Sequence, residues 1–259
     1  ERTARLIAQW QAVGWSHGVM NTDNMSILGL TLDYGPYGFM DDYDAGFICN
    51  HSDHNGRYAF NQQPYIGLWN LSCLAQALLP LVEKEALKAV LETYQPFYER
   101  TYLTHMRAKL GLTDERAEDE SLVRDFLGLL QESHADYTMA FRDLSTFSSA
   151  EGATNEKLRE QFLSRDRFDE WAIRYRDRLR SEQSRDDERQ ARMNRVNPKY
   201  VLRNYLAQVA IEKAQHKDFS EIERLYTLLQ HPYSDQPGMD AYAAPPPNWG
   251  KHLAVSCSS

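Results

Sequence analysis

The sequence predicts a mainly α fold, with a turn-rich first third that carries short strands. Three observations predict it. Eight of the 13 glycines fall at or before Gly67, which concentrates the turns there. Beyond that point apolar residues recur at helical spacing, between acidic starts and glycine or proline stops. With 42% hydrophobic and 12% aromatic residues, a chain of 259 residues can bury a sizeable core.

The elements follow in order. Residues 2–13 show a helical pattern. Glu1, not methionine, opens the chain in a helix already under way with no signal peptide, which suggests a processed or partial molecule. Residues 17–67 read as loops with short strands, "SILGLTLDY" alternating weakly. Residues 68–82 place Leu71, Leu74, Leu78 and Val82 on one helical face, with Asn70 as a cap and Pro80 near the end. "KEALKAVLETYQPFYERTYLTHMRAKLG" reads as a helix interrupted near Pro96 and closed by Gly111. "TDERAEDESLVRDFLGLLQES" has acids in its first turn, which suit a helix N-terminus. Helices follow over "TNEKLREQFLSRDRFDEWAIRYRDRLRSE", "NPKYVLRNYLAQVAIEKAQ" and "DFSEIERLYTLLQ", before a Pro-rich, extended tail.

Charge and cysteine content exclude several classes. A formal charge of -8 disfavours a nucleic-acid partner. The longest apolar run, "LAQALLPLV", is far short of the roughly 18 residues a membrane span needs, so no membrane partner is expected. Cys49, Cys73 and Cys257 form no CxxC and no even framework, which points to a reducing compartment, the cytoplasm. Residues 165–195 hold ten arginines and eight acids and read as a solvated, ion-paired helical face.

The chemistry concentrates between His17 and Gly38. A nucleotide-bound Mg²⁺ wants carboxylate and amide oxygens, usually from one or two side chains. Protein kinases supply an asparagine that ends the catalytic loop and an aspartate in a DFG-type turn. Here Asn24 ends a loop that starts at His17, and nine residues later Asp33 opens "DYG". The apolar "MSILGLTL" between them can form a short hairpin that brings both side chains to one point. Kinases of small molecules carry "HGD" followed by four residues and Asn. This chain reads "HGVMNTDN", with Val19 at the third position, and an alkyl group cannot accept a hydroxyl proton. The loop offers Asp23 instead. His17 is expected to brace the loop by hydrogen bonding. Asp41, Asp42 and Asp44 read as solvated loop acids, and His51, Asp53 and His54 as a weak zinc signal. Arg57 and Gln63 either shape a substrate groove or pack the fold.

Three blocks in order, "HGVMNTDNMSILGLTLDYGPYGFMD", "GRYAFNQQPYIGLWNLSCLAQAL" and the final "CSS", resemble the selenoprotein O (SelO/YdiU) family, and "NPKYVLRNYLAQVAIEKA" also fits. The resemblance covers essentially the whole chain. It implies the mainly α C-terminal lobe of a protein-kinase-like (pseudokinase) fold, with a short β-hairpin at the catalytic loop. It implies ATP bound in a flipped orientation, and AMP transferred to Ser, Thr or Tyr hydroxyls of protein substrates. Asp23 is then the proton acceptor, and Asn24 and Asp33 hold Mg²⁺ or Mn²⁺, Asp33 also facing the nucleotide. Many members carry selenocysteine at the position of Cys257, which implies a redox role. A Cys49–Cys257 pair would tether the tail over the active-site loop; a free exposed thiol is the alternative.

A Gly-rich loop, a strand lysine and a helix glutamate are not found, and the family carries these upstream of the block that begins at Glu1. The chain is therefore expected to be a fragment without its nucleotide lobe, weak in ATP binding, inactive alone and exposing apolar surface. The expected parts are 1–110 with the catalytic loop and metal ligands, a helical extension over 111–230, and a tail over 231–259 with the redox cysteine. Two rival functions remain: a non-catalytic pseudokinase scaffold, and a kinase with an atypical base.

Overall fold

Long apolar-periodic segments with few breakers form helices, and the computed structural model, which describes residues 1–256, is mainly helical. Among the described residues there are eleven α-helices and one two-stranded sheet. The chain divides into two compact units. The first comprises Glu1–Gly38, Ala45–His105 and the chain from Ala254 onward; the second comprises Phe39–Asp44 and Met106–Leu253.

In the first unit, α1 (Arg2–Val13) buries Ile7, Ala8, Trp10 and Ala12. It ends at Gly14, whose φ of 69° a side chain would strain. β1 (Trp15–Ser16) pairs with β2 (Gly38–Phe39). The hairpin expected over "MSILGLTL" shrinks to one antiparallel bridge, Met25 to Thr31. Ile27, Leu28 and Leu30 stay exposed there, so no buried face rewards a longer ladder.

α2 (Gln63–Leu78) starts five residues before the predicted helix, with Pro64 in its first turn, where a missing N–H costs little. Its buried residues are Gln63, Ile66, Gly67 and Asn70, not the predicted leucines. Leu74 is 39% exposed, and Asn70 lies in mid-helix rather than at a cap. Glycine is required at 67, because a Cβ there would sit 2.2 Å from Ile7 Cδ1 and 2.7 Å from Tyr94 Oη. α3 (Lys84–Glu92) and α4 (Tyr94–Lys109) are separated at Thr93, and Pro96 sits harmlessly in the first turn of α4.

In the second unit, Gly111 stops α4 as the sequence predicts, at φ 72°. α5 (Asp119–Ser133), α6 (Tyr137–Leu144), α7 (Glu156–Arg159) and α8 (Arg165–Ser181) follow. They close around rings: Phe126 and Trp171 have centroids 4.7 Å apart, and Trp171 stacks on Tyr175 at 4.8 Å. α9 (Asp186–Asn194), α10 (Asn204–Gln215) and α11 (Ser220–Leu229) complete the unit. The helix predicted from residue 154 is thus split in two, α9 falls within the stretch read as a charged helical face, and α6 is an addition to the prediction.

The arginine-rich stretch is only partly a solvated face. Arg178 is buried and donates to Asp119 at 2.7 Å, and Asp119 also faces Arg107 at 3.3 Å. Buried Arg189 donates to the Phe147 carbonyl and to Asp186. Asp41 is not a solvated acid either. It pairs with Arg203, which is 1% exposed and also bonds Asp136, the residue that caps α6; burial pushes the Asp41 carboxyl up against the pull of Arg203.

Candidate active site

The segment from Trp15 to Asn24 has little regular structure, so its carbonyls need other partners. Side chains supply them one by one. Gln63 Nε2 donates to the Trp15 carbonyl at 3.0 Å, and Cys49 Sγ lies 3.5 Å from that of Ser16. Asn50 Nδ2 donates to Gly18 at 3.3 Å, Asn24 Nδ2 to Val19 at 3.0 Å, and Asn70 Nδ2 to Met20 at 3.0 Å. Gln63 also accepts the His17 N–H at 2.9 Å. The polar residues on the buried face of α2 therefore fix the loop, and the leucines the sequence singled out do not. Gly18, at φ 84°, is required because a Cβ would meet Cys49 Sγ and the Pro36 carbonyl at 2.8 Å.

His17 is the clamp. Its Nε2 lies 2.8 Å from the Leu32 carbonyl, and its Nδ1 accepts the Val19 N–H at 3.4 Å. This pattern fits the neutral imidazole with its proton on Nε2. Desolvation depresses the pKa, with the Leu32 carbonyl and Asp33 pulling the other way. The ring sits against Trp10 and Trp15, with centroids at 5.5 and 5.6 Å. Trp10 Nε1 donates to Thr31 Oγ1 at 3.0 Å, a second tie to the same turn.

One chain of hydrogen bonds thus connects the predicted residues. Asn24 holds Val19, Val19 is held by His17, and His17 holds Leu32, whose neighbour is Asp33. Asp33 has φ 56°, a left-handed conformation that costs a non-glycine residue about 1–2 kcal/mol. Its carbonyl accepts the Gly35 N–H at 2.8 Å. Asp23 lies in a 3-10 turn, Thr22–Asn24, and is exposed, as is Asp33. Beside this turn, Thr22, Met25, Ile27, Leu71 and Leu74 line a cleft of about 320 Å³. Asn70 Oδ1 is buried among the described residues with no hydrogen-bond partner.

The donor set fits an oxygen-seeking divalent ion. The Asn24 nitrogen is committed to Val19, which leaves its oxygen to offer, and the Asp33 carboxylate is exposed. Among the described residues, no group of three or more His, Cys, Asp or Glu is placed to hold a metal, which removes the zinc reading of His51, Asp53 and His54. Asp53 instead accepts the backbone N–H groups of Arg57 and Tyr58 at 2.9 and 2.7 Å. Burial pushes the Cys49 thiol up to about 11. Cys257 lies outside the described residues. The tail reaches this region at Val255, whose carbonyl accepts the His51 N–H at 2.7 Å. No helix among the described residues is long and apolar enough to cross a membrane.

Of the residues that build this site, sequence reasoning missed Asn50 and misassigned Asn70. The one signal was the i, i+7 spacing of Gln63 and Asn70, polar positions on a helical stripe that also carries Ile66 and Gly67.

Residues 1–230 match the family model described as Protein adenylyltransferase SelO. The chain is 60% identical over 259 residues to "Protein nucleotidyltransferase YdiU" of Myxococcus xanthus (strain DK1622), covering 100% of this chain and 53% of that protein. It is 55% identical over 259 residues to the protein of the same description from Pectobacterium carotovorum subsp. carotovorum (strain PC1), with the same coverage. The chain spans about half the length of the curated relatives it matches.

Proposed function

We propose, for a chain that belongs to the SelO family, that it carries the metal-binding and proton-accepting side of a protein adenylyltransferase site. The reaction would move AMP from ATP to Ser, Thr or Tyr hydroxyls of acceptor proteins. The observation that carries this reading is the His17 clamp, which ties the Asn24 loop to the Asp33 turn while Val19 stands where a kinase needs its base.

Asn24 Oδ1 and the Asp33 carboxylate would hold Mg²⁺ or Mn²⁺, which when bound neutralises the charge that gathers on the phosphates. Asp23, exposed in the adjoining turn, would accept the acceptor hydroxyl's proton, an effect worth typically ~10²–10⁴-fold. His17 stays neutral and positions both loops. The protein-kinase-like lobe is part of the proposal. So is the assignment of the nucleotide-holding elements to the half of the relatives' length that lies beyond this chain. Exposed Ile27, Leu28, Leu30 and Leu81 are in keeping with a surface that such a half would cover, and this chain alone should be inactive. A Cys49–Cys257 pair belongs to the same proposal, supported by the approach of Val255 to His51. Peptide mapping of the oxidised protein under non-reducing conditions would show it as one crosslinked peptide.

Intact-mass analysis of acceptor proteins incubated with the full-length protein, ATP and Mg²⁺ or Mn²⁺ tests the function. A gain of one adenylyl group supports it. A gain of phosphate makes the protein a kinase. No gain, with cellular function untouched by Asp33→Ala, makes it a scaffold.

A further inference from the structure

Three arginines of the first unit lie over rings, Arg5 and Arg100 against Phe97 and Arg57 against Trp69 and Tyr58, and Arg57 is the one whose turn is tied to the Asp23 loop. The arginines of the second unit are largely answered by carboxylates, such as Asp119 for Arg178 and Asp41 for Arg203. Arg57 is answered by rings. Its guanidinium carbon lies 4.8 Å from the Trp69 centroid and 5.6 Å from that of Tyr58, and no carboxylate of the described residues forms an ion pair with it. The two rings brace the guanidinium while none of its N–H donors is spent on an acceptor among the described residues, which leaves them for two-pronged capture of a carboxylate.

The turn that presents it is fixed beforehand. The Asp53 carboxylate holds the backbone N–H groups of Arg57 and Tyr58, and the turn passes through Gly56 at φ 64°. Its start is tied by the bond from the His51 N–H to Val255. Trp69, 40% exposed, comes from α2, the helix whose Gln63 and Asn70 hold the catalytic loop. The Tyr58 hydroxyl donates to Asn21 Oδ1 at 2.5 Å, and Asn21 immediately precedes the turn that carries Asp23. An exposed, preorganised cation with unspent donors is thereby coupled to the segment that carries the proton acceptor. Little ordering entropy remains to be lost when it binds.

We propose that Arg57, braced by Trp69 and Tyr58, is a specificity-determining residue that binds an acidic side chain of the acceptor protein close to the hydroxyl to be modified. The inference rests on the transferase reading above and names the acceptor class, hydroxyl residues with a Glu or Asp nearby. Asp23 and Asp33 would repel such a sequence, so a fixed counter-charge is what lets an acidic acceptor approach. The same chemistry could serve the nucleotide's phosphates, and the test separates the two sources.

The test takes an acceptor peptide that the full-length protein labels, and places Glu, Ala or Lys at each of the three residues on either side of the hydroxyl. In at least one position, the wild type should label the Glu peptide with a kcat/KM about tenfold above the Lys peptide. Arg57→Glu should invert that order, and the inversion itself shows a folded, working variant. Trp69→Ala should shrink the preference by raising KM for the Glu peptide. The KM for ATP should stay at the wild-type value in both variants. A charge preference indifferent to residue 57, or a rise in KM for ATP in Arg57→Glu, overturns the inference. Absence of labelling of every acceptor by the wild type overturns the transferase reading itself, a result distinct from either.

Discussion

Replacing His17 with phenylalanine separates the clamp from the packing around it. The ring keeps its place against Trp10 and Trp15, and the bonds to Leu32 and Val19 are lost. Leu32 is exposed, so water can take over its carbonyl, and the net loss is about 1 kcal/mol. The Val19 bond, long at 3.4 Å, adds a few tenths. Asp33 holds a left-handed conformation at a cost of about 1–2 kcal/mol, and the clamp on Leu32 opposes its relaxation together with the Gly35 N–H and the Trp10–Thr31 bond. Removal of about 1.4 kcal/mol lowers the ratio of competent to relaxed molecules about tenfold, which weakens apparent affinity by up to about tenfold. Titration of Mn²⁺ by electron paramagnetic resonance, with ATP and the full-length protein, reads that loss. Thermal unfolding in parallel should move by only about 2–5 °C. Binding of Mn²⁺ by His17→Phe as tightly as by the wild type, in a preparation where Asp33→Asn binds none, would refute the reasoning.

Gly67→Ala should destabilise the first unit by about 1–3 kcal/mol, read as a lower urea midpoint, because the new methyl collides with Ile7 and Tyr94; an unchanged midpoint would mean that α1 and α4 give way freely. Lys109 is 4% exposed, its ammonium lies 4.2 Å from the Phe141 ring centroid, and desolvation lowers its pKa to about 7. The unfolded chain takes up this proton near pH 10.5 and the folded chain only near 7, so stability falls as pH drops through that window and levels off below it. Lys109→Met should remove that slope and raise stability at pH 7 by a few kcal/mol, about 5 at most; an equally steep pH profile in the variant would contradict the buried charge. In the reduced protein Cys49, buried and with its thiol near 11, should resist iodoacetamide at neutral pH while half-buried Cys73 reacts; equal labelling would count against the packed position of Cys49.

Local chemistry made much of this legible in the sequence. Gly111 announces the end of α4 because a left-handed residue is needed there, and the acid-rich run from Thr113 announces a helix, although α5 begins six residues later, at Asp119. The spacing of Asp23, Asn24 and Asp33 marks the candidate site. What stayed hidden is non-local. Gln63, Asn50 and Asn70 meet the His17–Asn24 loop across 32 to 50 residues of sequence, and no periodicity encodes such a pairing. The predicted leucine stripe misled because the buried stripe of α2 serves loop carbonyls, and amides satisfy carbonyls where leucines cannot. α9 passed for a solvated charged run because its inward residues include Arg189, an arginine spent on a backbone carbonyl. α6 is eight residues long, too short for its pattern to separate from the loops around it.

The shared ion site is the claim on which the mechanism stands, and anomalous diffraction from crystals of the full-length protein grown with Mn²⁺ and a non-hydrolysable ATP analogue tests it most directly. The account predicts one manganese peak within ordinary coordination distance, about 2.1 Å, of both Asn24 Oδ1 and an Asp33 carboxylate oxygen. A nucleotide bound with its manganese elsewhere, and these two oxygens turned apart, would contradict it.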